Sequence, residues 1–374
     1  MTPAHMTTKR RLSTTSGAVR SIAVGVAVLA AMNLIAAGII GTGTARAASD
    51  AFTVNALVSD GGAAAPSTDA SLVNGWGLSA GPTTPWWASD NGTNLSTLYS
   101  GTGTKTPLTV SLPGSPTGTV FNGRATDFVV SQNGSSGAAR FLFATESGTI
   151  LGWNPAVNGT VALVGVDRSS VGAVYKGLAI ANDRLYATDF HNGHVDIFDA
   201  SFKLLNTPGS FTDPKIAKGF APFGIQALGG DIFVTYAKQD AARHDDVAVP
   251  GQAYVDEFTP NGRLVARVVN SGKKNAPLNA PWGLALAPAD FNVFGGDLLV
   301  GNFGNGRVSA YTKRGDTWVY KGQLRLGNGT PITIDGLWAI AFGNGSAAGP
   351  TDALYFLAGP SGEQHGLFGS ITTG

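Results

Sequence analysis

Polar side chains stand at matching places beside short apolar runs of this chain, and their types suit ligand binding or chemistry. One group lies just before a run, and its members are Asn74, Arg124, Lys176, Asn279 and Asp335. A second group lies at or just past the end of a run, and its members are Asp90, Glu146, Asp189, His191 and Asn302. Such groups can hydrogen-bond a ligand, or ligate a metal ion where several of them meet.

A long polar segment, residues 238–251, stands where neighbouring units have a short turn. It contains Asp240, His244, Asp245 and Asp246. Loops of this length within a compact domain are commonly functional, so the segment could fold over a binding site or supply metal ligands. The alternative is a solvated surface loop whose acids pair with its own basic residues, and the sequence favours neither.

Some of these polar residues also have a purely structural interpretation. Asp90 and Asn91 precede a glycine, and Asp or Asn beside Gly at a hairpin often bonds nearby backbone N–H groups of the turn. Asp189 and His191 are better candidates for function, because Asn192-Gly193 already supplies the turn there. His191 is still expected to be a histidine at the rim of the site with no catalytic part.

Familiar catalytic signatures are absent from the sequence. It has no G-x-S-x-G elbow, no H-E-x-x-H pair and no G-x-x-x-x-G-K-[ST] loop. The absence of cysteine excludes disulfides, thiolate catalysis and zinc ribbons. The catalytic residues of any enzyme activity therefore stay unassigned.

The elements that must position these residues recur six times, with a period of about 50 residues. The first apolar run of each unit spans 74–78, 127–130, 175–180, 222–225, 281–286 and 335–340. The second run spans 86–92, 141–148, 185–193, 232–236, 298–306 and 354–359. This is the spacing of four-stranded propeller blades, and the 52 glycines suit a turn-rich β protein. The sequence predicts an all-β, six-bladed β-propeller, since a large β-sandwich or a solenoid would not explain six recurrences of one signature.

The turns and the propeller axis give finer expectations. Asn-Gly at 91–92, 192–193 and 305–306 predicts two-residue type I′ hairpins. The glycine inside most first strands suits crowding at the axis. We expect the first blade to be completed by a strand from the other terminus, with either terminus open as its source. Three tryptophans of the first strands are expected to pack in the core and between blades: Trp76, Trp282 and Trp338.

Propeller topology places these polar groups together. In each blade, the turn between the second and third strands lies on the same face as the connection into the next first strand. We therefore expect residues 239–251 on the face that carries Asp189, His191 and Asn302, with Asp240, His244, Asp245 or Asp246 directed at the channel mouth. The set predicted to bind a ligand there is Asn74, Glu146, Lys176, Asp189, His191, Asp240, His244, Asp245, Asp246, Asn302 and Asp335.

Residues 1–47 have the pattern of a secretory signal peptide. Basic residues precede an uncharged apolar run over 22–40, and Ala45-Arg46-Ala47 suits an A-x-A cleavage site. An uncleaved membrane anchor is the alternative, but the many alanines and glycines make the run weakly hydrophobic and favour cleavage. Arg10-Arg11 leaves the general secretory route and twin-arginine export both open. We expect a secreted protein whose residues 48–374 form one propeller domain.

Charge then excludes two classes of partner. The removed segment holds five basic residues and no acid, so the formal net charge changes from +1 to −4. A mildly acidic protein lacks the basic surface that nucleic acids or anionic membranes require. We therefore expect no nucleic-acid partner, no membrane insertion after signal removal, and a monomer.

Five longer motifs carry a family resemblance. They are Asp189-Phe-His-Asn-Gly193, Tyr236-Ala-Lys-Gln-Asp240 with His244-Asp-Asp246, Pro281-Trp-Gly-Leu-Ala-Leu-Ala-Pro288, Gly296-Asp-Leu-Leu-Val-Gly-Asn-Phe-Gly304 and Ile334-Asp-Gly-Leu-Trp338. Across roughly residues 52–371 they resemble a family of exported bacterial six-bladed propeller proteins of uncharacterised activity. The chain is more distantly similar to the NHL-repeat and gluconolactonase/paraoxonase-like propellers. That second resemblance implies a divalent cation such as Ca²⁺, held in the channel by carboxylates and amides.

Two functions follow as hypotheses. The leading one is a secreted propeller that binds a small molecule or an extracellular partner at its channel mouth, since propellers often serve as binding platforms. The alternative is a divalent-metal-dependent hydrolase or lactonase that uses a cation in the central channel.

Overall fold

The computed structural model describes residues 51–269 and 277–374. They form six β-sheets arranged as a six-bladed β-propeller, together with one separate two-stranded sheet, which confirms the predicted fold class. The predicted signal peptide lies outside the described residues, and export stays a prediction. Within the two described ranges, no helix has the length and apolar character needed to span a membrane.

The first two blades follow two N-terminal strands. Those two strands are β1 (Ala51–Ser59) and β2 (Ser67–Thr68). The strands of the first blade are β3 (Gly75–Ser79), β4 (Trp86–Asp90), β5 (Leu95–Tyr99) and β6 (Lys105–Ser111). The second blade has an inserted hairpin, and its strands are β7 (Pro116–Phe121), β8 (Val129–Gln132), β9 (Ser135–Ala138), β10 (Phe141–Thr145), β11 (Thr149–Trp153) and β12 (Leu163–Asp167).

The third blade has three strands, and the fourth carries a short extra strand. The third consists of β13 (Tyr175–Ala181), β14 (Arg184–Asp189) and β15 (His194–Phe198). The fourth consists of β16 (Phe220–Leu228), β17 (Asp231–Gln239), β18 (Asp246–Val247), β19 (Tyr254–Phe258) and β20 (Leu264–Val269). In the third blade, an isolated bridge between Phe198 and Leu204 stands where the fourth strand was expected.

The last two blades bring the chain back to its start. The fifth is formed by β21 (Pro281–Leu286), β22 (Leu298–Asn302), β23 (Val308–Arg314) and β24 (Thr317–Gln323). The C-terminal strands are β25 (Arg325–Leu326), β26 (Leu337–Phe342), β27 (Leu354–Ala358) and β28 (Leu367–Thr373). Helical turns are short, at Asn91–Thr93, Ser169–Val171, Asn292–Phe294 and α1 (Pro360–Glu363).

The N-terminal strand closes the ring in the sixth blade. β1 runs antiparallel to β28, from Phe52 opposite Thr373 to Ser59 opposite Leu367. Across the sheet, β27 and then β26 lie beyond β28. The expectation that the first blade would borrow a strand was wrong, because that blade has its own outer strand, β6. The sixth blade is the one completed from the other terminus, because the N-terminal strand β1 is its outer strand.

Second strands are largely apolar because neighbouring blades cover both of their faces. All five residues of β10, β22 and β27 are buried, whereas most of the outer strand β12 is at least partly exposed. A strand covered on both faces needs a continuous apolar run, and a half-covered strand does not.

The inner strand of the second blade is β7, and the expectation of residues 127–130 was wrong. Val129 and Val130 belong to β8 of the inserted hairpin, and Asp127 and Phe128 directly precede it. Arg124 precedes this hairpin, beyond the far end of β7, and pairs with Asp183 on the protein surface. It therefore lies on the face opposite the predicted mouth. Threonine and glycine make β7 less apolar than the hairpin strand that was mistaken for it.

Glycine allows the inner strands to approach each other at the axis. Gly77, Gly118, Gly177, Gly224 and Gly283 occupy equivalent places, and the sixth blade has Ala339 there. A Cβ atom added at Gly224 would lie 2.0 Å from the carbonyl oxygen of Trp282 on the next inner strand, and one at Gly118 would lie 2.3 Å from the amide nitrogen of Leu178. No real Cβ tolerates such contact, so the spacing of the blades requires glycine.

Gly224→Ala is expected to destabilise the propeller, because the new methyl group overlaps backbone that cannot move without shifting a blade. Overpacking of this kind costs about 1–3 kcal/mol, and rigid surroundings favour the upper end. Urea unfolding measures the change in the free energy of unfolding.

Gly327→Ala is the matched control, since an added Cβ there meets nothing within 4 Å. Its effect should stay within about 0.5 kcal/mol. Equal stability of the two variants would contradict the crowding argument.

Candidate functional site

An aromatic cluster fills the axis at the start of the inner strands. Trp76 and Trp338 stack with their ring centroids 3.7 Å apart, Phe303 stacks on Trp338 at 4.0 Å, and Trp282 and Phe223 meet Trp338 edge-on at 6.0 and 5.8 Å. These five rings, called the aromatic plug below, come from the first, fourth, fifth and sixth blades. The three tryptophans are at least 91% buried. The plug closes the channel at this face, which we call the loop face.

Lys176 lies on the plug at the equivalent position of the third blade. Its side chain is 1% exposed, and its Nζ lies 5.0 Å from the centroid of the Trp76 ring. The ammonium donates to Glu146 and, at 3.0 Å, to Oδ1 of Asp245. Its own carbonyl accepts a 2.9 Å hydrogen bond from Nε1 of Trp282. A buried cation is therefore held by two carboxylates and an indole face.

Further polar groups surround this lysine. The Nδ2 atom of Asn74 donates to Glu363 at 2.7 Å and to Asn91 at 3.3 Å, and Asn91 donates to Glu146 at 2.9 Å. The Nε1 atom of Trp338 in turn donates to the Oδ1 atom of Asn74 at 3.1 Å. We call Asn74, Asn91, Glu146, Lys176, Asp245, Asp246 and Glu363 the mouth cluster. Loops of the first, second, fourth and sixth blades contribute to it, together with the inner strand of the third.

The fourth-blade loop, residues 239–246, extends to this cluster and contacts Lys176 through Asp245. Its turn is fixed by Asp240, whose Oδ1 atom accepts the backbone N–H groups of His244 and Asp245 at 2.8 and 3.3 Å. Gln239 donates to the carbonyl of Phe190 at 2.6 Å, which ties the loop to the third blade. The structure thus places residues 239–246 on the loop face, with Asp245 against Lys176.

Charge in the mouth cluster is unbalanced towards acid. Burial alone would lower the pKa of Lys176, but Glu146 and Asp245 outweigh it and raise that pKa above its ordinary value. Burial raises the pKa of Asp246 to about 7, with Lys176 opposing the shift and the charge of Glu363 adding to it. Burial also raises the pKa of Glu363. One ammonium therefore faces four carboxylates, two of which are poorly stabilised as anions.

Several predicted site residues serve their own loops instead. Asp189 is fully buried and accepts the N–H groups of Val174 and Asn192. Asn302 is fully buried and accepts the N–H of Asn279. Both side chains are occupied by these backbone N–H groups, and the turns between the second and third strands differ from the predicted type I′ hairpins.

Those turns have four residues, and their backbone forms one helical turn rather than a two-residue type I′ hairpin. In the third blade the N–H of Gly193 bonds the carbonyl of Asp189 at 2.9 Å, and Gly193 alone has a positive φ, +76°. Such a turn leaves backbone N–H groups unpaired, and the Asp189 carboxylate satisfies them.

The other predicted residues lie at the edge of the mouth. Asp335 is exposed and accepts the N–H of Ser361 at 2.8 Å. His191 lies 3.4 Å from the guanidinium of Arg243, and Nδ1 of His244 lies 2.9 Å from Oδ1 of Asp245. The structure brings together Asn74, Glu146, Lys176, His244 and Asp245, with Asp246 electrostatically coupled to them.

Two members of the mouth cluster were missed from the sequence. Asn91 was interpreted as turn chemistry, yet its side chain bridges Asn74 and Glu146. Glu363 belongs to α1, which stands between β27 and β28, at the same place in its blade as Glu146 in the second. Topological position was the signal that could have found Glu363.

The residues present do not fit a divalent cation at the centre of the mouth. Ligand atoms of Glu146, His244 and Asp245 lie within 4.8 Å of one another, and Ca²⁺ would need six to eight oxygens. The ammonium of Lys176 already lies between Glu146 and Asp245, and its raised pKa keeps it protonated. A cation of the protein's own occupies the position that a metal would take.

A second acid–histidine group is structural. Nε2 of His194 lies 3.0 Å from Asp196 and 3.9 Å from Asp189, and Tyr175 donates to Asp196 at 2.6 Å. These acids already have hydrogen-bond donors, so the group needs no metal ion.

Asp246→Asn is expected to flatten the pH dependence of stability. The pKa of Asp246 is about 7 in the folded protein and 3.8 in the unfolded chain. Because the folded state binds this proton more tightly, the carboxyl stabilises the folded state fully below pH 3.8, and this contribution is lost as the pH rises through 7. At pH 8 the free energy of unfolding of the variant should exceed that of the native protein by about 1–2 kcal/mol, a figure discounted for partial exposure. At pH 4 this difference should be smaller.

Urea unfolding at the two pH values measures this difference. Asp316→Asn, an exposed carboxylate of the β23–β24 turn, is the control and should change stability equally at both. Parallel pH profiles for Asp246→Asn and the native protein would contradict the account.

Comparisons with solved structures show the fold. The regucalcin of Agrobacterium tumefaciens, described as a calcium-binding protein, matches with a TM-score of 0.51 and 14% identity over 86% of this chain and 93% of its own. The soluble aldose sugar dehydrogenase of Escherichia coli matches with a TM-score of 0.50 and 12% identity over 86% and 100%. At such identities the likeness extends to the fold alone.

Sequence comparison gives nearer relatives. No protein-family model matches the chain. Uncharacterized protein R648 of Acanthamoeba polyphaga mimivirus is 31% identical over 342 residues, covering 87% of this chain and 81% of its own. Uncharacterized protein L690 of the same virus is 32% identical over 341 residues, covering 87% of each chain. With this identity and coverage, the chain belongs to the family of the mimivirus proteins L690 and R648.

Proposed function

We propose that the protein is a secreted, monomeric binding propeller that recognises a positively charged group of a small molecule or an extracellular partner on its loop face. The observation that carries the proposal is the excess of acid in the mouth cluster, where Glu146, Asp245, Asp246 and Glu363 face the single ammonium of Lys176.

The unpaired acid supplies the binding energy. The Oδ2 atom of Asp246 is buried without a hydrogen-bond partner, and such an atom costs free energy until a donor reaches it. The Asp245 side chain is 66% exposed, so a ligand can approach from solvent. An ammonium or guanidinium group placed near Asp245, Asp246 and Glu363 would lower their mutual repulsion and bring the missing donor.

Lys176 sets the shape of this site. Together with the aromatic plug it forms the floor, and its bonds to Glu146 and Asp245 hold two carboxylates in place before a ligand arrives. Preorganised acceptors bind more tightly because less ordering is needed on binding. The lysine therefore acts as a positioning residue, and Asp245, Asp246 and Glu363 make the contact with the ligand.

The alternative function is a divalent-metal-dependent hydrolase or lactonase. The grouping of Glu146, His244 and Asp245 supports it, and the presence of Lys176 between two of these groups argues against it. A stoichiometric bound ion, together with turnover of an ester or lactone panel, would favour this alternative.

Butylamine, butanol and butyrate form a matched probe set that differs in charge. We expect saturation-transfer NMR to show binding of the amine alone, because only a cation gains from the excess acid. The double variant Asp245→Asn/Glu363→Gln should weaken amine binding roughly tenfold, since each lost charge-assisted contact contributes about 1 kcal/mol or more.

Asp316→Asn removes one exposed carboxylate on the opposite face and should bind the amine like the native protein. Equal binding of all three probes, or an unchanged affinity in the double variant, would contradict the proposal.

A further inference from the structure

A cavity of about 570 Å³ lies between the first and second blades, on the face opposite the loop face. The turn before β4 contributes Thr84 and Pro85 to its wall, β7 and β11 contribute their last residues, Phe121 and Trp153, and β10 contributes its first residue, Phe141. The cavity is open to solvent, and its volume lies within the usual range for small-molecule sites. We call it the blade cleft.

The wall of the blade cleft is predominantly apolar and rich in aromatic rings. Three nearly buried rings line it: Trp87 stacks on Phe141 with the centroids 4.2 Å apart, and meets Trp153 at 4.6 Å. Phe121 is half-buried and Pro155 is exposed, so both present apolar surface at the opening. A wall of this kind favours a flat aromatic ligand, because aromatic pairs contribute beyond the area that they bury.

Only one non-aromatic polar side chain of this wall is left for a ligand. The hydroxyl of Thr84 donates to the carbonyl of Pro85 at 2.9 Å, and the amide of Asn154 donates to the carbonyl of Ala138 at 2.6 Å. The third such side chain, Arg140, is exposed, and within the described part of the chain its guanidinium has no hydrogen-bond or ion-pair partner.

The backbone of Arg140 is fixed at the edge of the cleft. Its N–H donates to the carbonyl of Trp153 at 2.7 Å, and its carbonyl accepts the N–H of Asn122 at 2.9 Å. Arg140 is also the one charged residue among the described residues that line the cleft. A guanidinium pairs with a carboxylate through two parallel hydrogen bonds, so the charge of the cleft is complementary to an anion and opposite to that of the mouth cluster.

We propose that the blade cleft binds a small aromatic carboxylate, whose ring lies against the apolar wall and whose carboxylate pairs with Arg140. The ring supplies most of the affinity, so a short aliphatic acid such as butyrate is not expected to bind. The inference does not depend on the proposed function, because the blade cleft and the mouth cluster share no residue.

The test compares 2-naphthoate with 2-naphthamide, which have the same ring system and nearly the same shape but differ in charge. We expect a ligand-observed NMR titration at neutral pH to show saturable binding of both, with the amide roughly threefold to fivefold weaker, since an exposed ion pair adds only a modest amount. Added salt should weaken the naphthoate alone. Equal affinities, or no saturable binding of the naphthoate, would overturn the proposal.

Arg140→Gln removes the charge at an exposed position and should leave the fold intact. The affinity for 2-naphthoate should fall to that of 2-naphthamide, and the affinity for the amide should not change. Arg314→Gln is the matched control, an exposed arginine of the fifth blade, and should bind both probes like the native protein. Unchanged naphthoate binding in Arg140→Gln, or an equal loss in the control, would overturn the proposal.

Phe121→Ala tests the apolar wall separately from the charge. Removing this ring should weaken both probes by the same factor, roughly threefold to tenfold, and leave the difference between them intact. Native affinity for both probes in this variant would place them outside the blade cleft and would also overturn the proposal.

Discussion

Close approach of six inner strands at one axis is the constraint on which this structure depends. The strands meet backbone to backbone at five glycines, where a Cβ atom such as one on Gly224 would overlap the neighbouring strand. The residue before each of these glycines must then lie at the loop face of the channel, and large side chains such as Trp76 and Trp282 close it there. The strand ends diverge on the opposite face and leave a cavity. One packing constraint thus gives the channel two different ends.

Lys176 shows how the same constraint makes a polar site. It occupies one of the six positions before the close approach, where three other blades have tryptophan, and its charge is therefore fixed on an aromatic floor. Carboxylates from the second and fourth blades converge on it because both belong to loops between second and third strands. The acid that Lys176 does not neutralise remains available, and we infer that it recognises a cation.

Period and composition were enough to predict the propeller from the sequence, because a second strand that is covered by blades on both faces is largely apolar and recurs once in each blade. The inner strand β7 was misplaced since threonine and glycine leave Pro116–Phe121 without that apolar signature. For the site, topology correctly brought Glu146 and the fourth-blade loop to one face. It could not show that Asp189 and Asn302 bond their own turns, because that depends on the turn type, which Asn-Gly pairs indicated wrongly. Glu363 was missed since its loop has no recognisable motif.

The interpretation of the mouth cluster depends on Lys176, and not a metal ion, being the cation at the loop face. A crystal structure grown in millimolar calcium chloride, with anomalous data collected at long wavelength, tests it most directly. We expect side-chain density joining Lys176 to Glu146 and Asp245, with no anomalous peak between them. An anomalous peak coordinated by Glu146, His244 and Asp245, with Lys176 turned away, would contradict the account and favour the metal-dependent alternative.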